Sequence, residues 1–187
     1  MAIEQQIFEG ETIRLGPIDF EKDPEVESRW THDLSYLRML GRELARPLSP
    51  AQQKKKYEAI EKGMEERNLI YYTIRRKEDN GLLGFIRLDW IEWTHGAAAL
   101  KMGIGDEQER GKGYGSQALR QFLYYSFEEL NLYRLSVTVG EDNPGAIAFF
   151  QKFGFVEEVR RRKALLRDGQ TYDLLMLGLL KDEWRKE

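Results

Sequence analysis

The residues whose types and spacing could do chemistry are concentrated in Gln108-Glu109-Arg110-Gly111-Lys112-Gly113-Tyr114-Gly115, two cationic side chains set among three glycines. Glycine permits positive φ and close backbone approach, so a ligand can rest directly on main-chain N–H groups. Upstream, residues 97–104 are apolar apart from Lys101; downstream, Leu119, Phe122, Leu123, Ser126 and Leu130 recur at three- and four-residue steps, as on one helix face. The glycines therefore stand where a strand hands over to a helix. A helix N-terminus presents unpaired N–H groups and the positive end of a dipole, so the chemistry offered is anion binding, with Arg110 and Lys112 adding charge. A tight turn with no ligand would use the same glycines. Two phosphate fingerprints fail. A Walker loop needs GxxxxGK followed by Ser or Thr, whereas the spacing from Gly105 is one residue too long and Gly113 follows Lys112. A dinucleotide loop needs GxGxxG, and Ser116 stands where the third glycine belongs.

The elements that must position this loop can be read outward from it. Residues 135–139 alternate as a strand. Asn143 then suits a helix N-cap, Pro144 its first turn and Gly154 the C′ position before a further strand. Nearer the N-terminus, residues 12–15 read as a strand closed by Gly16-Pro17. Asp23-Pro24 opens a helix with Val26 and Trp30 on one face, and Leu34, Leu37 and Leu40 continue the stripe. Ser49-Pro50-Ala51-Gln52 predicts a capping box for a helix to about Met64. Its Lys54-Lys55-Lys56, followed by Glu58, Glu61, Glu65 and Glu66, reads as a solvated face rather than an anion site. Residues 69–74, 82–93 and 97–104 form a meander turned at Asn80-Gly81 and at Thr94-His95-Gly96. Residues 155–166 and 171–180 pair around Arg167-Asp168-Gly169-Gln170. A dinucleotide fold would alternate strands with helices from the start, so the meander counts against it.

Composition excludes several classes. At 187 residues, 41% hydrophobic and 33% charged, the chain fits one soluble domain with a full core. A net charge of −3 and a pI near 5.6 argue against a nucleic-acid binder. There is no cysteine, which excludes disulfides and a thiolate nucleophile and suits a reducing cytoplasm, the expected location. The N-terminus lacks a signal-peptide pattern, and no apolar run approaches the ~20 residues of a membrane helix. His32 and His95 have no partner at ligand spacing, so no metal is expected.

Two motifs in one order carry a resemblance. Gln108 to Gly113 reads Q-x-x-G-x-G, repeated as R-x-x-G-x-G at Arg110 to Gly115. About thirty residues on, Asn143 to Phe155 reads N-x-x-A-I-x-[aromatic]-[aromatic]-x-K-x-G-F. Both resemble the GNAT superfamily of acyl-CoA-dependent N-acetyltransferases, and Gly-Lys-Gly-Tyr-Gly, the Tyr124-Tyr125-Ser126-Phe127 segment and the late Asp-Gly hairpin resemble its RimJ/RimL branch. The resemblance implies an α/β (α+β) single-domain GNAT fold, a mixed central sheet of about seven strands with flanking helices, over residues 1–187 with a core of about 12–184.

For function it implies transfer of an acetyl group from acetyl-CoA to a primary amine, on a protein N-terminus, a polyamine or another small amine, by direct attack in a ternary complex. The pyrophosphate would be held by Gln108 and the main chain of Arg110, Gly111, Lys112, Gly113, Tyr114 and Gly115, and the pantetheine would run along Met102, Gly103 and Ile104. Asn143 and Lys152 match positions that contact the pantetheine and the adenosine phosphate. Asp89 and Glu92 are the candidates to take the amine's proton, with a plain polar strand as the alternative for each. The segment from Asp19 to Asn68, with Trp30, His32, Asp33, Tyr36 and Arg38, would lie over the acceptor. Phe150 departs from the pattern: many relatives place there a tyrosine able to protonate the leaving thiolate. An acyl-CoA-binding sensor without turnover is therefore an alternative, and the oligomeric state is left open, with the C-terminal hairpin as an edge on which a homodimer could form.

Overall fold

The computed structural model describes residues 7–41 and 45–184. In chain order the elements are β1 (Ile13–Gly16), α1 (Asp23–Trp30), α2 (Leu34–Leu40), α3 (Pro50–Glu65), β2 (Ile70–Arg76), β3 (Leu82–Glu92), β4 (Ala97–Ile104), α4 (Tyr114–Tyr124), β5 (Arg134–Gly140), α5 (Pro144–Lys152), β6 (Val156–Arg167) and β7 (Gln170–Leu180). A single 3₁₀ turn at Glu107–Glu109 precedes α4, and a π turn at Tyr125–Glu129 follows it. The seven strands form one sheet in the order β1-β2-β3-β4-β5-β7-β6. The ladders are antiparallel except β4 with β5. This is the mixed seven-strand sheet with flanking helices that the sequence predicts.

Local chemistry explains most boundaries. Ser49 and Gln52 form the reciprocal capping box at the head of α3. The apolar stripe expected to run unbroken from Asp23 to Leu40 divides at residues 31–33. Thr31 turns its hydroxyl back onto the Ser28 carbonyl at 2.6 Å, and the Asp33 side chain accepts from the Ser35 N–H at 2.8 Å, so a second helix starts. The main core packs Leu119, Phe122 and Leu123 of α4 and Phe150 of α5 against Ile86, Leu88, Leu100, Leu135 and Leu177 of the sheet. A smaller cluster joins Tyr57 and Ile60 of α3 to Tyr71 and Phe85. Alternation along β3 sends Ile86 and Leu88 to the first cluster and Phe85 to the second, so α4 and α5 cover one face and α3 the other.

One ion pair lies inside this second layer. Asp23 of α1 and Arg75 of β2 are almost wholly buried and bonded to each other; Asp23 also accepts from the Asp19 N–H at 2.7 Å, and Arg75 donates to the Pro17 carbonyl at 3.3 Å. Burial pushes the Asp23 carboxyl above its ordinary value despite the Asp19 N–H and the guanidinium that oppose it. The pair joins α1 to the sheet and holds both charges out of water to do so. Asp23→Ala is expected to lower stability by about 3–5 kcal/mol because it strands a buried guanidinium, and adding Arg75→Met should restore most of the loss. Urea unfolding of the two variants measures this; a single-variant loss under about 1 kcal/mol would show that Arg75 finds water instead.

Candidate active site

β4 is the floor of the site. On one side it pairs with β3 continuously from Ala99 opposite Asp89 to Ile104 opposite Gly84. On the other side it pairs with β5 only through Ala97, Ala98 and Ala99, opposite Arg134, Leu135 and Ser136. From Leu100 onward β5 departs, so Met102, Gly103 and Ile104 lie on a length of strand with one main-chain edge open. An open edge offers N–H and C=O groups to an extended ligand carrying amides of its own.

The open edge leads into the glycine loop. Gly105 donates its N–H to the Leu83 carbonyl at 2.9 Å and lies under the Trp30 indole; a Cβ there would stand 2.0 Å from the ring. Asp106 caps the 3₁₀ turn by accepting from the Gln108 N–H at 3.0 Å. Gly111 and Gly113 follow at φ 76° and 89°, with Gly113 as the N-cap of α4. A Cβ added to either meets nothing within 4 Å. The loop is therefore bare, and its glycines serve backbone conformation and open space together. Gly113 has no side chain to cap α4, so the first N–H groups of that helix face outward. Gly115 closes the inner wall, where a Cβ would approach Met102 at 3.7 Å and Ile104 and Phe149 at 3.9 Å.

The charged side chains of the loop are turned to other tasks. Arg110 donates from Nε to the Ile104 carbonyl at 3.2 Å and from Nη2 to the Gly105 carbonyl at 2.8 Å, and lies 6.0 Å over the Tyr36 ring. It pins the loop to the end of β4. Lys112 reaches Glu109 at 3.0 Å, and Glu109 also pairs with Arg76 at 2.9 Å; Lys112 and then Arg76 hold the Glu109 carboxyl below its ordinary value. The Gln108 side chain is exposed and Tyr114 packs against the main core. Across the gap, Asn143 caps α5 by accepting from the Ala146 N–H at 3.1 Å, and Lys152 is exposed at the far end of that helix. Phe150 is buried, edge-on to Phe149 and Phe155 at 5.2 and 5.4 Å. Phe149 is the ring of that pair that approaches the loop helix, a contact that neighbouring identical residues could not reveal in sequence.

The opposite face of the sheet carries a cavity of about 480 Å³ between α2, α3 and the strands. Arg87 and Lys101, partners in the β3–β4 register, lie at its floor, and Glu27, Lys55 and Lys56 at its wall. Glu27 is buried, accepts from the Tyr57 hydroxyl and pairs with Lys56 at 3.2 Å. None of Trp30, His32, Asp33, Tyr36 and Arg38 lines this cavity. Trp30 packs on Gly105, Asp33 caps α2, and His32 is exposed. Tyr36 is buried with an unpartnered hydroxyl, and Arg38 forms a two-pronged pair with Asp168 at 2.7 and 2.9 Å. Arg167 adds to that clasp, donating to the carbonyls of Arg38 at 2.8 Å and Gly41 at 3.1 Å and pairing with Asp142. The hairpin tip thereby ties α2 to the start of α5.

The two proton-acceptor candidates separate. Asp89 stands opposite Ala99, where the β4–β5 ladder ends, and bonds Arg87 Nε at 2.8 Å on the cavity face. Glu92 is exposed opposite Ala97, seven residues along β4 from Ile104 and roughly 23 Å from it at the strand rise. The two do not meet. Glu27 is the buried carboxylate that sequence reading missed; Asp23, Glu27 and Trp30 at steps of four and three were its signal, a buried helix face carrying two acids. Among the described residues, no three His, Asp or Glu side chains converge as metal ligands, and no helix is long and apolar enough to cross a membrane.

Comparison with known proteins gives the chain a family and its fold relatives. The chain is 35% identical over 109 residues to "Putative ribosomal N-acetyltransferase YdaF" of Bacillus subtilis (strain 168), covering 58% of this chain and 59% of that protein. It is 29% identical over 103 residues to a spermidine N(1)-acetyltransferase of Vibrio cholerae, covering 55% and 59%. The matched stretch spans less than two thirds of each relative. A solved structure of spermidine N-acetyltransferase from Vibrio cholerae in complex with CoA and spermine shares the fold, with a TM-score of 0.79 at 20% identity over 93% of this chain and 98% of that one. The acetyltransferase (GNAT) domain family matches residues 13–156, from β1 through the glycine loop to the start of β6, and the chain belongs to that family.

Proposed function

We propose that the chain is an acetyl-CoA-dependent N-acetyltransferase of the RimJ/RimL-like branch, one domain with its core at about residues 12–184, acting on a primary amine by direct attack in a ternary complex. The observation that carries this is the open edge of β4 leading into a bare glycine cradle at the head of α4. That geometry fits a ligand with a phosphate-bearing end and an amide-bearing arm. The main chain from Arg110 to Gly115 would hold the pyrophosphate, with Gln108 and Lys112 at its margin. Met102, Gly103 and Ile104 would pair with the arm, and Asn143 and Lys152 would flank it from α5. Bound acetyl-CoA supplies an activated acyl group. The chain's own residues orient it, exclude water and accept a proton. An N–H on the open edge directed at the thioester oxygen would contribute about 3 kcal/mol in the transition state.

The amine must be neutral to attack, so a carboxylate or a water chain must take its proton. Asp89 has the better placement of the two candidates, beside the point where β4 and β5 separate, and Glu27 is a further carboxylate within the acceptor cavity. In this reading the enzyme works in the cytoplasm with acetyl-CoA and an amine as its partners. A second copy could seat on β6, whose Val156, Val159 and Leu166 are 57%, 45% and 73% exposed. Phe150 supports a second reading, an acyl-CoA sensor, because no hydroxyl stands there to protonate the thiolate.

Saturating CoA, at a hundred times its dissociation constant, is expected to stabilise the fold by about 2.7 kcal/mol, seen as a rise in thermal midpoint; no rise removes both readings. Gly113→Val should weaken CoA binding at least tenfold while the protein stays folded, because a β-branched residue resists φ near +90° and fills the cradle. Gly169→Val, at φ 75° in the β6–β7 turn with equally open space, supplies the comparison: similar strain, unchanged CoA affinity. Phe150→Tyr should change turnover less than tenfold, since a thiolate of ordinary pKa near 8.5 leaves with little help. A gain of about a hundredfold in a CoA-release assay would favour the sensor reading for the native chain.

A further inference from the structure

We infer that the acceptor carries a carboxylate near its nucleophilic amine, as an acidic amino acid or a peptide with an acidic first residue does. This rests on the acetyl-transfer reading above and narrows its substrate class. The chain as a whole has a net charge of −3, yet the cavity on the acceptor face reverses that sign. Among the described residues its charged lining is Arg46, Lys55, Lys56, Arg87 and Lys101 against the carboxylate of Glu27. Glu27 is already engaged by Lys56 and the Tyr57 hydroxyl, and Arg87 by Asp89. Lys101 has an interaction of its own. Arg46 and Lys55 then remain without an ion pair among the described residues, both exposed at the rim of the cavity.

The lysine run of α3 is thus divided by function. Lys54 reaches Glu21 at 3.2 Å and Lys56 reaches the buried Glu27, whereas Lys55 is exposed at the cavity rim. A polyamine entering there would bring several positive charges to a lining that offers, among the described residues, two cations without an ion pair and one carboxylate already paired with Lys56. Like charges at that rim repel, an effect that added salt screens. An acceptor bearing a carboxylate meets the opposite situation: its anion pairs with Arg46 or Lys55, and the same cations lower the pKa of its ammonium toward the neutral form that attacks.

A CoA-release assay on the full chain tests this with spermidine, free glutamate, free glutamine and three otherwise identical peptides beginning with Glu, Gln or Lys. The Glu acceptor should exceed its Gln and Lys counterparts at least tenfold in kcat/KM, an advantage that shrinks with added salt. Comparison of free glutamate with the Glu peptide distinguishes the two sources of that chemistry. Lys55→Glu should reverse the order of Glu and Lys peptides while leaving the KM for acetyl-CoA unchanged, which a merely structural lysine would not do. Preference for spermidine over every acidic acceptor overturns the inference and leaves acetyl transfer standing. If no amine is turned over, calorimetric binding to the CoA-loaded protein decides. Tenfold tighter binding of the Glu peptide than the Gln peptide, lost in Lys55→Glu, keeps the inference while acetyl transfer falls; equal binding removes both.

Discussion

Everything in this molecule depends on β4 being hydrogen-bonded on one side only along its second half. Main-chain N–H and C=O groups are costly to leave unpaired, and sheets ordinarily zip neighbouring strands to their ends. Here the two neighbours are held apart by their other partners. β4 is registered against β3 down to Ile104, while β5 is registered against β7 along its whole length, from Arg134 opposite Leu180 to Gly140 opposite Leu174. Two stiff half-sheets, β1 to β4 and β5-β7-β6, are thus joined through three residue pairs and diverge beyond them. An edge strand exists in the middle of a seven-stranded sheet, shielded from other chains by the half-sheet facing it.

The layer that covers the opposite face controls the geometry of that opening. Trp30 bears on Gly105 and Arg110 ties the loop to the carbonyls of Ile104 and Gly105, so the position of α1 sets the position of the cradle. At the other end of the same layer, Arg167 and Asp168 clasp α2 from the hairpin tip. The first anchor is apolar and dry; the second is ionic, with Asp168 exposed and its carboxyl held below its ordinary value by Arg38. The layer of α1 and α2 and the glycine loop at the end of β4 are therefore mechanically one object.

The cleft was legible in sequence because its chemistry is main-chain chemistry, which leaves glycine and proline where nothing else fits. Gly111 and Gly113 adopt the positive φ that their spacing announced, Asn143 caps α5, and residues 97–104 form β4 as read. What escaped was orientation. Nothing in Lys54-Lys55-Lys56 says which lysine faces inward, because the helix is amphipathic only relative to a neighbour not adjacent in sequence. Arg110 read as charge for a ligand, whereas two carbonyls at the end of β4 take its donors. The insertion of β7 between β5 and β6 also has no local signature. Glu27 is different in kind: its spacing from Asp23 and Trp30 was visible, and only the expectation that acids face water hid it.

The placement of β7 has a consequence for synthesis. The meander β2 to β4 pairs locally and can form as it emerges, but β5 receives its antiparallel partner only after Leu180 has been made. Contacts of that sequence separation carry a loop-closure cost that nearby ones avoid, and they form late. At ribosomal rates of 5–20 residues per second the interval is roughly 2–8 s. During it β5 can approach β4 without the strand that holds it away, and the parallel ladder is free to zip past Ala99. The growing chain must therefore hold open, or reopen, a gap that the finished protein keeps by architecture. A chaperone, or early docking of α5 on the face of β5, would have its largest effect on yield in those seconds.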